Sequence, residues 1–237
     1  MNNLYFNNKD LWNDFNCGFL KGIQYPTVEE VINILPSEGN SFGDLTERTG
    51  IYKDLVQEVK VRMFGLDNYR MRIALIEDWL SDIEDNRLFF AESLERCLRV
   101  KTARINGGIT KNGNNCLEFT LIFNCEPFYF DSDVRVIEWR KRTVLKSDTM
   151  IPYKPTIELK ATTSRTTITI NGQELAFDTK NGETYIIDCE REYVYKKGTN
   201  IPIRTIGNFF TVNKGVNNFT DGTNDTIKIH LNNKYRG

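Results

Sequence analysis

A chain of 237 residues, 40% hydrophobic and 27% charged, has the apolar material for one large or two small cores. Its 31 basic and 32 acidic residues leave a formal charge of −1, so nothing in the balance points to nucleic acid or an anionic membrane as partner. No apolar run approaches bilayer length, and Met1 to Phe6 lacks the basic and apolar regions of a secretory leader, so folding in a cytosol is expected.

In chain order, the stretch to about Asn40 reads as mixed strands and loops, with Val28 to Leu35 open between a short helix and a strand. Ser37 to Tyr52, rich in Gly, Ser, Thr and Asp, reads as a long loop of the kind that often belongs to an interface. Val56 to Phe64 alternates, with Val59, Val61 and Met63 on one face and Glu58, Lys60 and Arg62 on the other, which predicts a half-buried strand. The period then changes: Tyr69, Ile73, Ile76, Trp79, Leu80 and Ile83 recur at helical spacing, behind Asp67 or Asn68 as the capping residue.

Strands return at Leu94 to Ile105 and Cys116 to Asn124, a hairpin with a long tip, since Asn106-Gly107-Gly108 and Asn112-Gly113 tolerate positive φ. Pro127 is expected to end the second strand, with Phe128-Tyr129-Phe130 as an apolar plug. Val134 to Trp139 alternates, leaving the facing of Trp139 ambiguous. Short strands follow at Thr156 to Ala161, Thr166 to Ile170 and Gln173 to Phe177, the last two joined by Asn171-Gly172. Asn181-Gly182 before Thr184 to Cys189 is a second hairpin signal, and Glu192 to Lys196, Asn208 to Val212 and Thr226 to Leu231 complete a series that suggests a sandwich. The division falls near Asp131 to Tyr153, giving domains of 1–135 and 136–237, with the last strand able to pack back on the first domain.

Chemistry is sparse. The lone histidine, His230, sits on the polar face of a strand, which rules out two-histidine metal sites and leaves one residue for any Ser-His or Cys-His pair. The cysteines, Cys17, Cys97, Cys116, Cys125 and Cys189, form no CxxC and read as small buried hydrophobes. Glu77-Asp78 and Glu84-Asp85 read as solvated helix carboxylates, and Asp221-Gly222-Thr223-Asn224-Asp225 as a turn lacking calcium-loop spacing. Trp79 is expected in the core. Glu58, Lys60 and Arg62, with Arg99 and Lys101, are candidates for a polar subunit interface, the alternative being a solvent-facing guard on a strand edge.

The ordered set of Glu47-Arg48-Thr49-Gly50-Ile51-Tyr52, Ile76-Glu77-Asp78-Trp79-Leu80, Phe123 to Phe130, Ile168 to Gln173, Tyr185 to Cys189, Gly207-Asn208-Phe209-Phe210, Gly215 to Phe219 and Tyr235-Arg236 resembles the distal tail proteins of siphophages, over nearly the whole chain. The resemblance implies a mainly β, α+β protein: an N-terminal tail-tube-like β-sandwich with one helix and a long hairpin, and a C-terminal galectin-like β-sandwich. It further implies a structural, non-enzymatic baseplate hub without cofactors, forming a homo-hexameric ring between the tail tube protein and the tail-associated lysin, docking receptor-binding proteins and letting DNA pass without specific nucleic-acid binding. Its place would be the virion tail, assembled in the host cytoplasm. The reading from another class is a carbohydrate-binding module using exposed Tyr or Trp; a glycoside hydrolase would need two close, buried carboxylates.

Overall fold

The computed structural model describes residues 3–36, 44–112, 115–139, 142–223 and 225–236. The chain divides into two compact units, Met1–Ser132 with Arg236–Gly237, and Asp133–Tyr235.

The first unit contains β1 (Leu4–Phe6), β2 (Lys9–Asp10), β3 (Cys17–Phe19), β4 (Glu30–Leu35), β5 (Leu45–Tyr52), β6 (Leu55–Phe64), α1 (Tyr69–Ser81), β7 (Arg87–Phe90), β8 (Ser93–Asn112) and β9 (Cys116–Asp131). Most strands join one antiparallel sheet in the order β2-β1-β7-β8-β9-β6-β3, while β4 and β5 pair only with each other. On β6 the predicted alternation is realised: Val59, Val61 and Met63 are buried and Glu58 and Lys60 exposed. The helix buries Ile73, Ile76, Trp79 and Leu80, each contributing about 1.5–3 kcal/mol of apolar burial. The Trp79 ring meets Phe6 edge-on and tilts against Phe15, and its Nε1 donates to the Phe6 carbonyl at 2.9 Å. At the helix start Asn68 holds the cap position in the left-handed conformation, φ 51°, without a side-chain cap bond. The end is tied instead: Asn7 Nδ2 donates to the Trp79 and Asp82 carbonyls, and its Oδ1 accepts from the Glu84 and Asp85 amides.

The sequence reading is corrected in several places here. Val28 to Leu35, open between helix and strand, contains the strand β4 from Glu30 to Leu35. The Leu45–Tyr52 part of the expected loop is a strand too, although residues 37–43 lie outside the described residues; β5 exposes both faces, so it has no alternation to read. Asn106-Gly107-Gly108 does not break β8, whose register with β9 merely shifts between Asn106 and Thr110. Pro127 does not end β9, which runs on to Asp131, because the proline falls where the ladder skips from Leu98–Tyr129 to Val100–Cys125. At such a bulge the missing N–H costs no ladder bond.

The second unit contains β10 (Arg135–Trp139), β11 (Arg142–Ser147), β12 (Thr156–Lys160), β13 (Arg165–Ile170), β14 (Gln173–Asp178), β15 (Thr184–Asp188), β16 (Tyr193–Lys196), β17 (Pro202–Ile203), β18 (Thr205–Gly207), β19 (Gly215–Asp221) and β20 (Thr226–Leu231). Two sheets, in the orders β10-β20-β12-β15-β16-β17 and β11-β19-β13-β14-β18, close on a shared core that includes Trp139, Ile157, Ile168, Phe177, Phe219 and Ile229. The Asn171-Gly172 turn joins β13 to β14 with φ of 53° and 82°, the two positive angles a type I′ turn needs. Asn181-Gly182 makes no hairpin, because β14 and β15 belong to different sheets; the dipeptide fixes a turn but not the partner of the strand that follows. Asn208 to Val212 is not a strand either: Phe210 and Val212 are fully buried anchors, and Val212 makes one isolated bridge to Tyr153. At Gly207, φ +107°, a Cβ would stand 2.0 Å from the Glu174 carbonyl oxygen, so glycine is obligatory there.

Candidate assembly surfaces

Glu58, Lys60 and Arg62 lie on the outer face of β6, opposite Ile122, Thr120 and Glu118 of β9. Arg62 donates through Nε at 3.0 Å and Nη2 at 2.6 Å to Glu118 Oε1, which also accepts from Asn112 Nδ2. These bonds hold the Glu118 carboxyl below its ordinary range, with Arg62 the larger cause. Arg99 and Lys101 stand on β8, at its bulges, and have partners of their own. Arg99 stacks its guanidinium 4.2 Å above the Phe130 ring, and Lys101 pairs with Asp54 at 2.6 Å. Alternation on one strand was legible; the bulges between Leu98 and Thr102, which set where β8 side chains point, were not.

Two further surfaces stand out, the second within the stretch Ser37 to Tyr52 that read as an interface-type loop. From Lys101 to Asn112 the second edge of β8 pairs with no strand among the described residues, leaving a long unpaired row of backbone donors and acceptors. The β4–β5 arm exposes Ile32 (49%), Ile34 (64%), Leu35 (50%), Leu45 (60%) and Ile51 (63%). Its base is held by the Tyr52 ring against Phe128 and by Arg236, which donates to the Tyr52 hydroxyl. The signal for the arm was the cluster of isoleucines and leucines flanking a polar stretch.

Beside the start of the arm lies an open pocket of about 500 Å³ with Leu88, Phe90 and Leu98 among its walls and Tyr25, Arg96 and Arg236 among its polar lining. Tyr25 crosses Phe90 edge-on and donates its hydroxyl to Glu92 at 3.3 Å, while Tyr129 donates to the Pro26 carbonyl at 2.9 Å.

Groups that might have carried chemistry are committed to structure. Trp79 and Trp139 are buried, so neither presents a ring to a sugar. All five cysteines are buried free thiols, and burial pushes Cys17, Cys125 and Cys189 up to about 12. Asp225 is 2% exposed and takes bonds from the Thr162 amide and hydroxyl, the Thr166 hydroxyl and the Thr223 hydroxyl. Asp221 accepts from the Thr223 and Asp225 amides, and burial pushes its carboxyl above the ordinary range. The acidic loop is thus a self-satisfied turn, and among the described residues no group of three or more His, Cys, Asp or Glu is placed to hold a metal.

Residues 146–235 match the family model for the siphovirus-type tail component, C-terminal domain. This part of the chain is similar to that domain. The whole chain has the fold of a solved tail protein: the crystal structure of SPP1 Dit, described as a paradigm of the hub adsorption apparatus in phages infecting Gram-positive bacteria, superposes with a TM-score of 0.72 at 14% identity, covering 99% of each chain. No curated protein matches by sequence. The mainly β architecture of this chain is shared with the SPP1 Dit structure.

Proposed function

We propose that this tail component is a non-enzymatic hub whose copies close into a six-membered ring joining the tail tube to the tail tip. The observation that carries the reading is the β4–β5 arm, whose isoleucines and leucines stand in solvent although nothing in their strand pairing requires it. Contiguous apolar surface of this kind marks a contact with another protein. The unpaired β8 edge supports it, since a strand edge this long is a template for pairing unless a neighbour covers it. In a closed ring each heterologous face meets its complement and none is left over.

Glu58, Lys60 and Arg62, with Arg99 and Lys101, contribute the polar part of the subunit contact in this reading. The two domains, 1–135 and 136–237, divide the labour: the first makes the ring, and the second, on its outside, docks receptor-binding proteins, with the tail tube protein and the tail-associated lysin on the ring's two ends. Assembly takes place in the host cytoplasm. The mixed charge around Arg62–Glu118 suits a conduit for DNA, because a densely cationic surface would retain phosphate. Negative-stain imaging and native mass spectrometry of the purified chain test the proposal: a six-fold ring of this chain is expected, and a strict monomer, both alone and mixed with tail tube protein, overturns it.

A further inference from the structure

We infer that the outward stripe of α1 on one copy packs against the outer face of β11 and β19 on a second copy of this chain. The inference rests on the ring reading and names one contact that would close it.

Helical spacing builds the first face. Met71, Leu75, Asp78 and the C-cap residue Asp82 follow one another at four, three and four residues, so they form one stripe, turned away from the side that buries Ile73, Ile76, Trp79 and Leu80. Met71 is 67% and Leu75 47% exposed, and both aspartates are exposed as well. The stripe is apolar in its first half and acidic in its second, and neither aspartate carboxylate is in an ion pair among the described residues.

Strand register builds the second face. The outward positions of β11 and β19 set Arg142 opposite Thr220, Val144 opposite Asn218 and Lys146 opposite Val216. Val144 and Val216, 63% and 62% exposed, are diagonal neighbours on adjacent strands. Arg142 and Lys146 flank Val144, each about 7 Å along the strand, and neither is in an ion pair among the described residues. Cations on an edge strand guard it against pairing, which accounts for Arg142 and Lys146 but not for two valines left in solvent beside them.

The two faces are complementary in order and in charge. Along the helix axis Asp78 lies about 4.5 Å beyond Leu75 and Asp82 about 10.5 Å beyond it, so with Leu75 over Val144 the two aspartates bracket the roughly 7 Å to Lys146. The larger charge distribution agrees. The first unit holds 15 basic and 20 acidic residues and the second 16 and 12, so a first unit is attracted to a second unit and repelled by another first. The occupant is therefore a second copy, which carries the complement of each face, and both faces are exposed in the single chain. Because a helix face meets a sheet face, the contact is heterologous, and repeating it around a closed ring leaves neither face over.

Charge exchange on the full chain tests this, read by native mass as the concentration at which assemblies fall apart on dilution. Asp78→Lys with Asp82→Lys is expected to raise that concentration roughly tenfold, and Arg142→Glu with Lys146→Glu to do the same. All four substitutions together are expected to restore the wild-type value, with the melting temperature of the chain unmoved throughout. Rings that keep the wild-type value in either two-site variant overturn the contact and leave the ring standing. Weakening that the four-site variant does not relieve also overturns it. Assemblies that weaken and recover in this way but never close support the contact and sink the ring, whereas a strictly monomeric wild type sinks both. Exchange that moves the melting of a monomer instead of assembly would put the two faces within one chain and overturn the proposal. Should a reversed variant fail to fold, Asp78→Asn with Asp82→Asn takes its place: added salt is expected to weaken wild-type assembly more than that of this variant, and equal salt dependence counts against the contact.

Discussion

In the C-terminal unit, the inward residues of two sheets meet in one core and even the acidic turn between β19 and β20 satisfies itself. In the N-terminal unit, a sheet and a helix bury a core of their own, yet an arm and a strand edge stay uncovered. Both units leave large apolar side chains in solvent, Val144, Ile201 and Val216 among them in the C-terminal one, but only the N-terminal unit has a strand, β5, exposed on both faces among the described residues. Residues 146–235 match a family model by sequence, whereas for the N-terminal unit the likeness is one of fold.

The largest effect expected from a single substitution is at the helix of the N-terminal unit. Trp79→Ala removes a ring packed on Phe6 and Phe15 and leaves the Phe6 carbonyl without its donor, which costs about 3–5 kcal/mol. If the units are as separate as their cores indicate, scanning calorimetry will show one transition falling and the other unmoved. A joint shift of both transitions would break the comparison. Asp225→Ala is the counterpart in the other unit: it strips the acceptor from Thr162, Thr166 and Thr223 and should cost about 2–3 kcal/mol, confined to the C-terminal transition.

The titration of that turn sharpens the contrast. Burial raises the Asp221 carboxyl in the folded state, so the folded protein takes up its proton at a higher pH than the unfolded chain does. The contribution of Asp221 to stability therefore grows as pH falls from neutral through the raised value, is complete below the unfolded value near 3.8, and is lost again as pH rises. Glu118 and Asp85 in the N-terminal unit have the opposite sign: both are lowered, by Arg62 and Arg87 respectively, and acidification removes what they contribute. The melting difference between wild type and Asp221→Asn should favour wild type progressively more toward acid, measured on the C-terminal transition. A difference flat between pH 7 and pH 4 would mean that the carboxyl is not desolvated as placed.

What the sequence made legible follows the same line. Ile227, Ile229 and Leu231 alternate because the neighbours of β20 bury one of its faces, and Tyr69 to Leu80 shows helical spacing because one face of the helix meets a sheet. The Asn171-Gly172 turn was readable because its chemistry is local. Where no packing partner buries a face, the pattern is missing: β5 exposes both faces and read as loop. Pro127 and Asn106-Gly107-Gly108 misled for a different reason, since bulges accept residues that would break a regular ladder. That Glu58, Lys60 and Arg62 share a face was legible from period two, whereas the facing of Arg99 and Lys101 depends on the register of β8 across its bulges.

The smallest effect on stability is expected on the exposed arm, from a substitution that tests assembly. Ile34 is 64% exposed on the arm, opposite the Leu35–Leu45 face, so Ile34→Asp removes little burial from the chain itself and should move the melting temperature by no more than about 0.5 kcal/mol allows. If this face meets a neighbour in the proposed ring, an aspartate there would take a charge out of water without a partner, at a cost of several kcal/mol per contact. A folded variant with wild-type melting that no longer forms rings by native mass would separate the two roles of the arm. Intact rings carrying Ile34→Asp would show that this face of β4 stays in solvent after assembly, and the apolar character of the arm would then have to be explained by the Leu35–Leu45 face alone.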